Sequence, residues 1–287
     1  MSAKHAFVTV LSTENYLDGV GALALSLNKW GKTTIPLYVL CGPGISEKSR
    51  SILASIKNTH VSQYSESFKI SESIKNANIS RGNDNWNHTF DKLQIFELTQ
   101  FDKIVYIDAD MMVMQNIDSL FTYQHISATN AGVSYPGNED WITLNSGIMV
   151  IEPQKGLAEE IIQVLPQVIS SKKAIGDQDL LHVYYSEWPL HPELNIGERY
   201  NIFVFQDYLD YYIGKLGYHW GGQDSQSIAV LHFIGYPKPW NHKSSLARTI
   251  YQEIRRMYLT LCGQRKTQWA ILEYKHLIRV FRRNYKV

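Results

Sequence analysis

The run Lys103-Ile104-Val105-Tyr106-Ile107 ends directly on Asp108-Ala109-Asp110. A strand that is apolar at consecutive positions has no face to give to water, so it belongs inside a sheet covered on both sides. Ala6-Phe7-Val8-Thr9-Val10-Leu11 and Ile35-Pro36-Leu37-Tyr38-Val39-Leu40 read the same way. Between them, Tyr16 to Trp30 places Val20, Leu23, Ala24 and Leu27 at helical spacing, and Gly31 closes the helix. The turn Gly42-Pro43-Gly44 leads to a second helix expected over Ser46–Lys57. Strand, helix, strand, helix is the order of a parallel α/β sheet. With 44% hydrophobic residues in 287, the chain can bury a sizeable core, which argues against disordered, collagen-like and low-complexity classes.

Further along, a helix is expected over Phe90–Thr99, a strand over Asn145–Ile151, a helix over Leu157–Ile169 and a late strand over Ala229–Phe233. The polar stretch Ser65–Asn87 reads as a loop or weak helix, a rim of the kind that carries acceptor-binding lids. The expected organisation is a single Rossmann-like α/β domain over residues 1–245 with a mainly parallel central sheet. Residues 246–287 then form a basic amphipathic helical tail, broken near Gly263.

Net charge is +1, but its halves are unlike. From Lys243 onward there are 11 basic and 2 acidic residues, a balance of +9, while the remainder holds 17 and 25, a balance of −8. Such a split points to a surface contact for the tail, not to nucleic-acid binding by the whole chain. In the tail, Arg and Lys interleave with Trp269, Ile271, Leu272, Leu277, Ile278, Val280 and Phe281, a pattern suited to an anionic membrane surface and equally to a helix packed on the domain. The cysteines, Cys41 and Cys262, are too few for a disulfide scaffold or a multi-cysteine zinc site. Residues Met1–Val10 lack the apolar core of a signal peptide, and no run of about 18 apolar residues marks a spanning helix. The expected location is cytoplasmic, with peripheral attachment to the inner face of a membrane as an extension of that expectation.

The chemistry-bearing residues begin with Asp108-Ala109-Asp110. Open α/β sheets keep their ligand crevice at the carboxyl ends of strands, and carboxylates at i and i+2 can address one point there. Two hard oxygen donors suit manganese or magnesium together with diphosphate oxygens, although two acids at an exposed strand end look the same in sequence. Late in the chain, His232 ends an apolar strand and Gly235 and Lys238 follow in a Pro-rich turn ending at Trp240. The imidazole can complete an oxygen-rich metal site, Gly235 can let the backbone approach a phosphate, and Lys238 can act as a point charge on it. The blander alternative is a core histidine and a stiff turn. Asn145-Ser146-Gly147 opens a strand with small polar groups able to meet sugar hydroxyls, or with plain turn chemistry. Asp177 and Gln178 begin a helix, where they can face a sugar or merely cap it. Lys92 precedes the acidic strand, and a solvated helix lysine is its simpler reading.

Taken in order, Phe7-Val8-Thr9, Lys92, Asp108-Ala109-Asp110, Asn145-Ser146-Gly147, Gly176-Asp177-Gln178 and His232-Phe233-Ile234-Gly235 with Lys238-Pro239-Trp240 resemble glycosyltransferase family 8, most of all its glycogenin and galactinol synthase branch. The resemblance implies a GT-A fold, a nucleotide-sugar donor (usually a UDP-sugar), manganese or magnesium, and retention of anomeric configuration. It implies Asp108, Asp110 and His232 as metal ligands and Gly235 and Lys238 on the diphosphate. Lys92 would meet the diphosphate or donor sugar. Phe7, Thr9 and Tyr16 would line the nucleoside pocket, with Tyr16 stacked on uracil, and Asn145, Ser146, Gly147, Asp177 and Gln178 would surround the donor sugar. Retention implies either a carboxylate nucleophile, for which Asp177 is the candidate, or the favoured front-face attack with Asp177 holding sugar hydroxyls; Gln178 is the candidate for steadying the reacting face. Where the family's glycogenin-like members carry a further acid, this chain has Ala174-Ile175, so the donor sugar stays open. The expected enzyme is a retaining hexosyltransferase acting on a glycan, lipid-linked or protein acceptor, with a homodimer among the expected assemblies. Its rivals are a non-catalytic nucleotide-sugar binding module and a nucleotide-sugar hydrolase. Trp86, Trp141, Trp188 and Trp220 are the candidate platform for an acceptor sugar.

Overall fold

The computed structural model describes residues 4–64, 66, 72–80, 84–171, 175–241 and 245–287. In chain order the strands are β1 (His5–Leu11), β2 (Leu37–Cys41), β3 (Thr59–Gln63), β4 (Lys103–Ile107), β5 (Met111–Val113), β6 (Ser127–Thr129), β7 (Asn145–Ile151), β8 (Ile202–Phe203) and β9 (Val230–His232). The α-helices are α1 (Leu17–Ser26), α2 (Glu47–Ala54), α3 (Glu72–Ser80), α4 (Leu157–Ile162), α5 (Leu165–Ser171), α6 (Asp177–Tyr184), α7 (Tyr208–Gly214), α8 (Leu246–Leu261) and α9 (Thr267–Tyr285).

Strand β1 sends Phe7 and Leu11 into one core and Ala6 and Val8 into another on the opposite face of the sheet. β4 divides likewise, with Val105 and Ile107 on one side and Ile104 and Tyr106 on the other. Burial on both faces is why these strands are apolar throughout. The six-stranded sheet runs β3-β2-β1-β4-β7-β6. It is parallel from β3 to β4 and antiparallel at the β7 and β6 edge. β3 was not expected from the sequence: as an edge strand it is buried only at Thr59 and lacks the apolar run of the central strands.

A second sheet, β5-β9-β8, also lies outside the expected plan. β9 lies inside the strand expected over Ala229–Phe233, whereas β5 and β8 are two or three residues long and too short to leave a periodic trace. The Phe90–Thr99 helix is instead a 3₁₀ segment over Asp84–Glu97. The Leu157–Ile169 helix is two helices, α4 and α5. Pro166 lacks the N–H that would bond the Ile162 carbonyl one turn back, which accounts for the break.

The tail needs a larger correction. The break at Gly263 is there, with φ +68. But α9 is not a surface appendage. Phe281 is fully buried in the core that holds Phe7 and Val105. A side chain at Gly21 of α1 would overlap its ring at 2.5 Å. Tyr274 is also fully buried and stacks on Phe233 at 4.0 Å. Trp269, Leu272, Leu277 and Ile278, read as a membrane-facing stripe, are all buried here. The structure therefore removes the boundary between domain and tail at α9, because the apolar face of that helix closes the same core.

Candidate active site

The turn after β4 carries Asp108 and Asp110 to the carboxyl edge of the parallel strands. β5 starts at once, and its antiparallel register puts Met111 opposite His232 of β9. The Phe233 amide donates to the Asp110 carbonyl at 3.0 Å. Two strands far apart in sequence thus bring His232 beside the acid pair. His232 Nε2 lies 3.2 Å from Asp110 Oδ1 and 3.9 Å from Asp108 Oδ2. One donor atom from each of the three falls within 4.8 Å of the others.

The orientation of the imidazole follows from a chain of hydrogen bonds. The Gly147 amide donates to Asn145 Oδ1 at 3.0 Å, which marks that atom as the oxygen. Asn201 Nδ2 donates to the same oxygen at 2.8 Å, so Asn201 Oδ1 is the atom 2.8 Å from His232 Nδ1. His232 must then donate from Nδ1, which leaves Nε2 as the ring atom that faces the carboxylates. Gly147 permits this approach: a Cβ there would sit 2.7 Å from Met111 Cε and 2.9 Å from His232 Cε1. Asn201 escaped the sequence analysis because it stands in no motif and acts through another side chain.

Lys92 is buried and joins the acids to the far side of the site. Its Nζ lies 2.8 Å from Asp177 Oδ2 and 3.2 Å from Asp108 Oδ1, and donates to Ser146 Oγ at 3.0 Å. Burial opposes its charge, but the two carboxylates outweigh that cost and hold its pKa above the ordinary lysine value. Burial raises the Asp108 carboxyl, Lys92 opposes the rise, and Asp110 adds to it. Asp110 goes the other way: Lys238 and His232 overcome its burial and hold it well below the usual carboxylate range. Lys238 Nζ pairs with Asp110 Oδ2 and donates to the Phe233 carbonyl at 3.0 Å.

Asp177 is the first residue of α6 and is buried, so it is not the cap; Gly176 holds that place. Gln178 Oε1 accepts from the Ser146 amide at 3.1 Å. Gly235 has φ +80, a backbone conformation that favours glycine, with the Phe205 ring 2.8 Å from where a Cβ would stand. Tyr16 meets Trp240 edge to face at 5.4 Å, and the two line a cavity of ≈ 340 Å³ with Asn15, Tyr236, Lys238 and Asn241. Thr9 Oγ1 is buried with no hydrogen-bond partner among the described residues.

Some expected residues are placed elsewhere. Phe7 is wholly buried, its ring edge-on to Phe121, so its side chain has no surface to offer a nucleoside. Asn145 Oδ1 is taken up by Asn201 and Gly147. Trp188 is a core residue bonded to the Ile126 carbonyl, and Trp220 packs on Trp269. Trp141 is 43% exposed. The side chain of Trp86, Ala174 and much of the 65–87 rim lie outside the described residues.

Two carboxylates and one oriented imidazole make a donor set that fits manganese or magnesium. Over 238 residues and 83% of its length, the chain is 28% identical to glycogenin-1 of Mus musculus, covering 66% of that protein. Over 188 residues and 64% of its length, it is 34% identical to UDP-glucuronate:xylan alpha-glucuronosyltransferase 2 of Arabidopsis thaliana, covering 28% of it. The chain thus spans less than a third of the plant relative and about two thirds of the glycogenin. The crystal structure of galactosyltransferase LgtC with donor and acceptor sugar analogues superposes with a TM-score of 0.59 at 16% identity, covering 96% of each chain. At that identity the likeness speaks to the fold, which is GT-A. The profile of "Glycosyl transferase family 8" matches residues 7–244, and on that match over most of its length the chain belongs to this family.

Proposed function

We propose that the chain is a metal-dependent, retaining hexosyltransferase that moves a sugar from a nucleotide sugar, a UDP-sugar by preference, to a glycan or lipid-linked acceptor. The observation that carries this reading is the convergence of Asp108, Asp110 and His232 within 4.8 Å in a chain of this family. Those three residues would hold manganese or magnesium, which when bound supplies positive charge to a departing diphosphate.

The chain's own groups do the rest. Tyr16 and Trp240 wall the cavity next to Lys238, where a nucleoside diphosphate fits by size and chemistry. Lys238 exchanges its pairing with Asp110 for the diphosphate, stabilising the negative charge that grows as the sugar bond breaks. Gly235 lets the backbone of that turn come close. Lys92 pairs with Asp177 and fixes its position at the sugar. Asp177 receives the sugar hydroxyls, and Gln178, oriented by the Ser146 amide, steadies the face that the acceptor hydroxyl attacks. Attack from the same face as the leaving group accounts for retention without a covalent intermediate.

The test is a screen of nucleotide sugars with manganese, measuring nucleoside diphosphate release with and without acceptors. Release that depends on an acceptor supports transfer; equal release without one indicates a hydrolase. Full activity in Asp108→Ala and Asp110→Ala proteins would overturn the metal assignment.

A further inference from the structure

Helix α8 is packed with its polar side inward. Its buried residues are Gln252 and Leu259. Glu253 meets His276 and Arg279 of α9, and Arg256 meets Glu273. The apolar side faces outward: Ile250, Tyr251, Ile254, Met257, Tyr258 and Leu261 are between 49% and 85% exposed. On a helix of 3.6 residues per turn these six share one arc about 120° wide, with no polar residue inside it. Scattered exposed apolar residues need no explanation, but a continuous stripe of this kind marks a binding surface.

Charge decides among the occupants. Leu246 to Val287 holds 10 basic and 2 acidic residues, and both acids, Glu253 and Glu273, are tied up in ion pairs with α8 and α9 cations. Along one edge of the stripe stand Arg255 and the exposed Arg248, with Tyr251 and Tyr258 between them and the aliphatic centre. An aliphatic centre, a tyrosine border and an arginine rim follow the polarity gradient of a bilayer interface. A second copy seated antiparallel on the same face would set these arginines against their own counterparts, with like charges opposed. An anionic lipid surface compensates them instead.

We propose that the outward face of α8 seats the protein on an anionic lipid bilayer, with Ile254 and Met257 near the centre of the buried stripe. This differs from the reading of the whole tail as a membrane helix, since α9 gives its apolar face to the core. No helix among the described residues is long and apolar enough to cross a membrane, so the contact is one of lying on the surface. The inference stands independently of the transfer reaction.

The experiment is co-sedimentation of the full chain with vesicles of phosphatidylcholine alone and of phosphatidylcholine with about 30% phosphatidylglycerol. The wild type should bind the anionic vesicles more tightly, and added salt should weaken that binding. An Ile254→Glu/Met257→Glu protein should lose binding by roughly tenfold or more, with its melting temperature unchanged because both positions are exposed. Arg248→Gln/Arg255→Gln should weaken binding to the anionic vesicles and reduce its salt dependence. No binding to either vesicle overturns the proposal, and so does undiminished binding by Ile254→Glu/Met257→Glu. Sedimentation equilibrium that shows a dimer dissolved by the same pair would also overturn it, by assigning the face to a second copy. A chain that binds vesicles but releases no nucleotide would refute the transfer reading and leave this one standing.

Discussion

Asn201 Oδ1 lies 2.8 Å from His232 Nδ1 and thereby decides which imidazole nitrogen faces the acid pair. Replacing Asn201 with Leu removes the acceptor and leaves the ring free to rotate or change tautomer. Groups that orient a metal-bound histidine are typically worth about 10- to 100-fold in metal affinity. Asn201→Leu should weaken manganese binding by a factor in that range, read by calorimetric titration. Asn201→Asp retains an acceptor and should recover most of the affinity. Equal manganese affinity in all three proteins would show that Asn201 does not orient His232.

Lys92 is the cation between Asp108 and Asp177. Its removal leaves two carboxylates close together with less compensation, and breaking a buried pair from one side costs about 3–5 kcal/mol. Lys92→Met should therefore lower the melting temperature markedly. It should also increase the stabilisation gained on adding manganese, because the cation would replace lost positive charge. Scanning fluorimetry with and without manganese reads both effects. A melting temperature equal to that of the wild type would mean that Lys92 carries no such burden.

The central strands were legible in the sequence because both of their faces are buried. β4 and β7 have the bounds their apolar runs indicate, Lys103–Ile107 and Asn145–Ile151. The acid pair was legible for the same reason, since the end of a buried strand is a place the pattern can locate. What stayed hidden was pairing between distant segments. The register of Met111 opposite His232 pairs β9, whose apolar run was legible, with the three-residue β5, which no local periodicity announces. Asn201 and the Lys92–Asp177 contact are likewise tertiary. The basic tail was misleading in a specific way. Composition reports that a helix is amphipathic, but not which neighbour takes its apolar face, and α8 and α9 turn theirs in opposite directions.

Phe281 tests whether α9 belongs to the domain. Its ring is fully buried against Gly21 of α1. Phe to Ala at such a site costs about 3–5 kcal/mol. Phe281→Ala should show a loss of that order in chemical denaturation, and deletion of residues 264–287 should yield insoluble protein. A truncated protein that stays folded and monomeric would restore the idea of a dispensable tail.

Glu253 links the last two helices through Arg256, His276 and Arg279. Burial raises its carboxyl, but the hydrogen bonds from His276 and Arg279 overcome this and bring it from 4.5 down to about 2. A carboxyl depressed on folding stabilises the folded state once pH exceeds its unfolded value. That contribution is complete above about pH 4.5 and is lost as pH falls toward 2. Because the group is partly open to solvent, screening keeps the contribution modest. The wild type should thus become less stable between pH 5 and pH 2 through this group among others. Glu253→Gln should be less stable than the wild type at pH 7, and the gap between them should close on acidification. Thermal melts of both proteins across that range would check it; a gap that stayed constant to pH 2 would show that the Glu253 charge contributes nothing to holding α8 against α9.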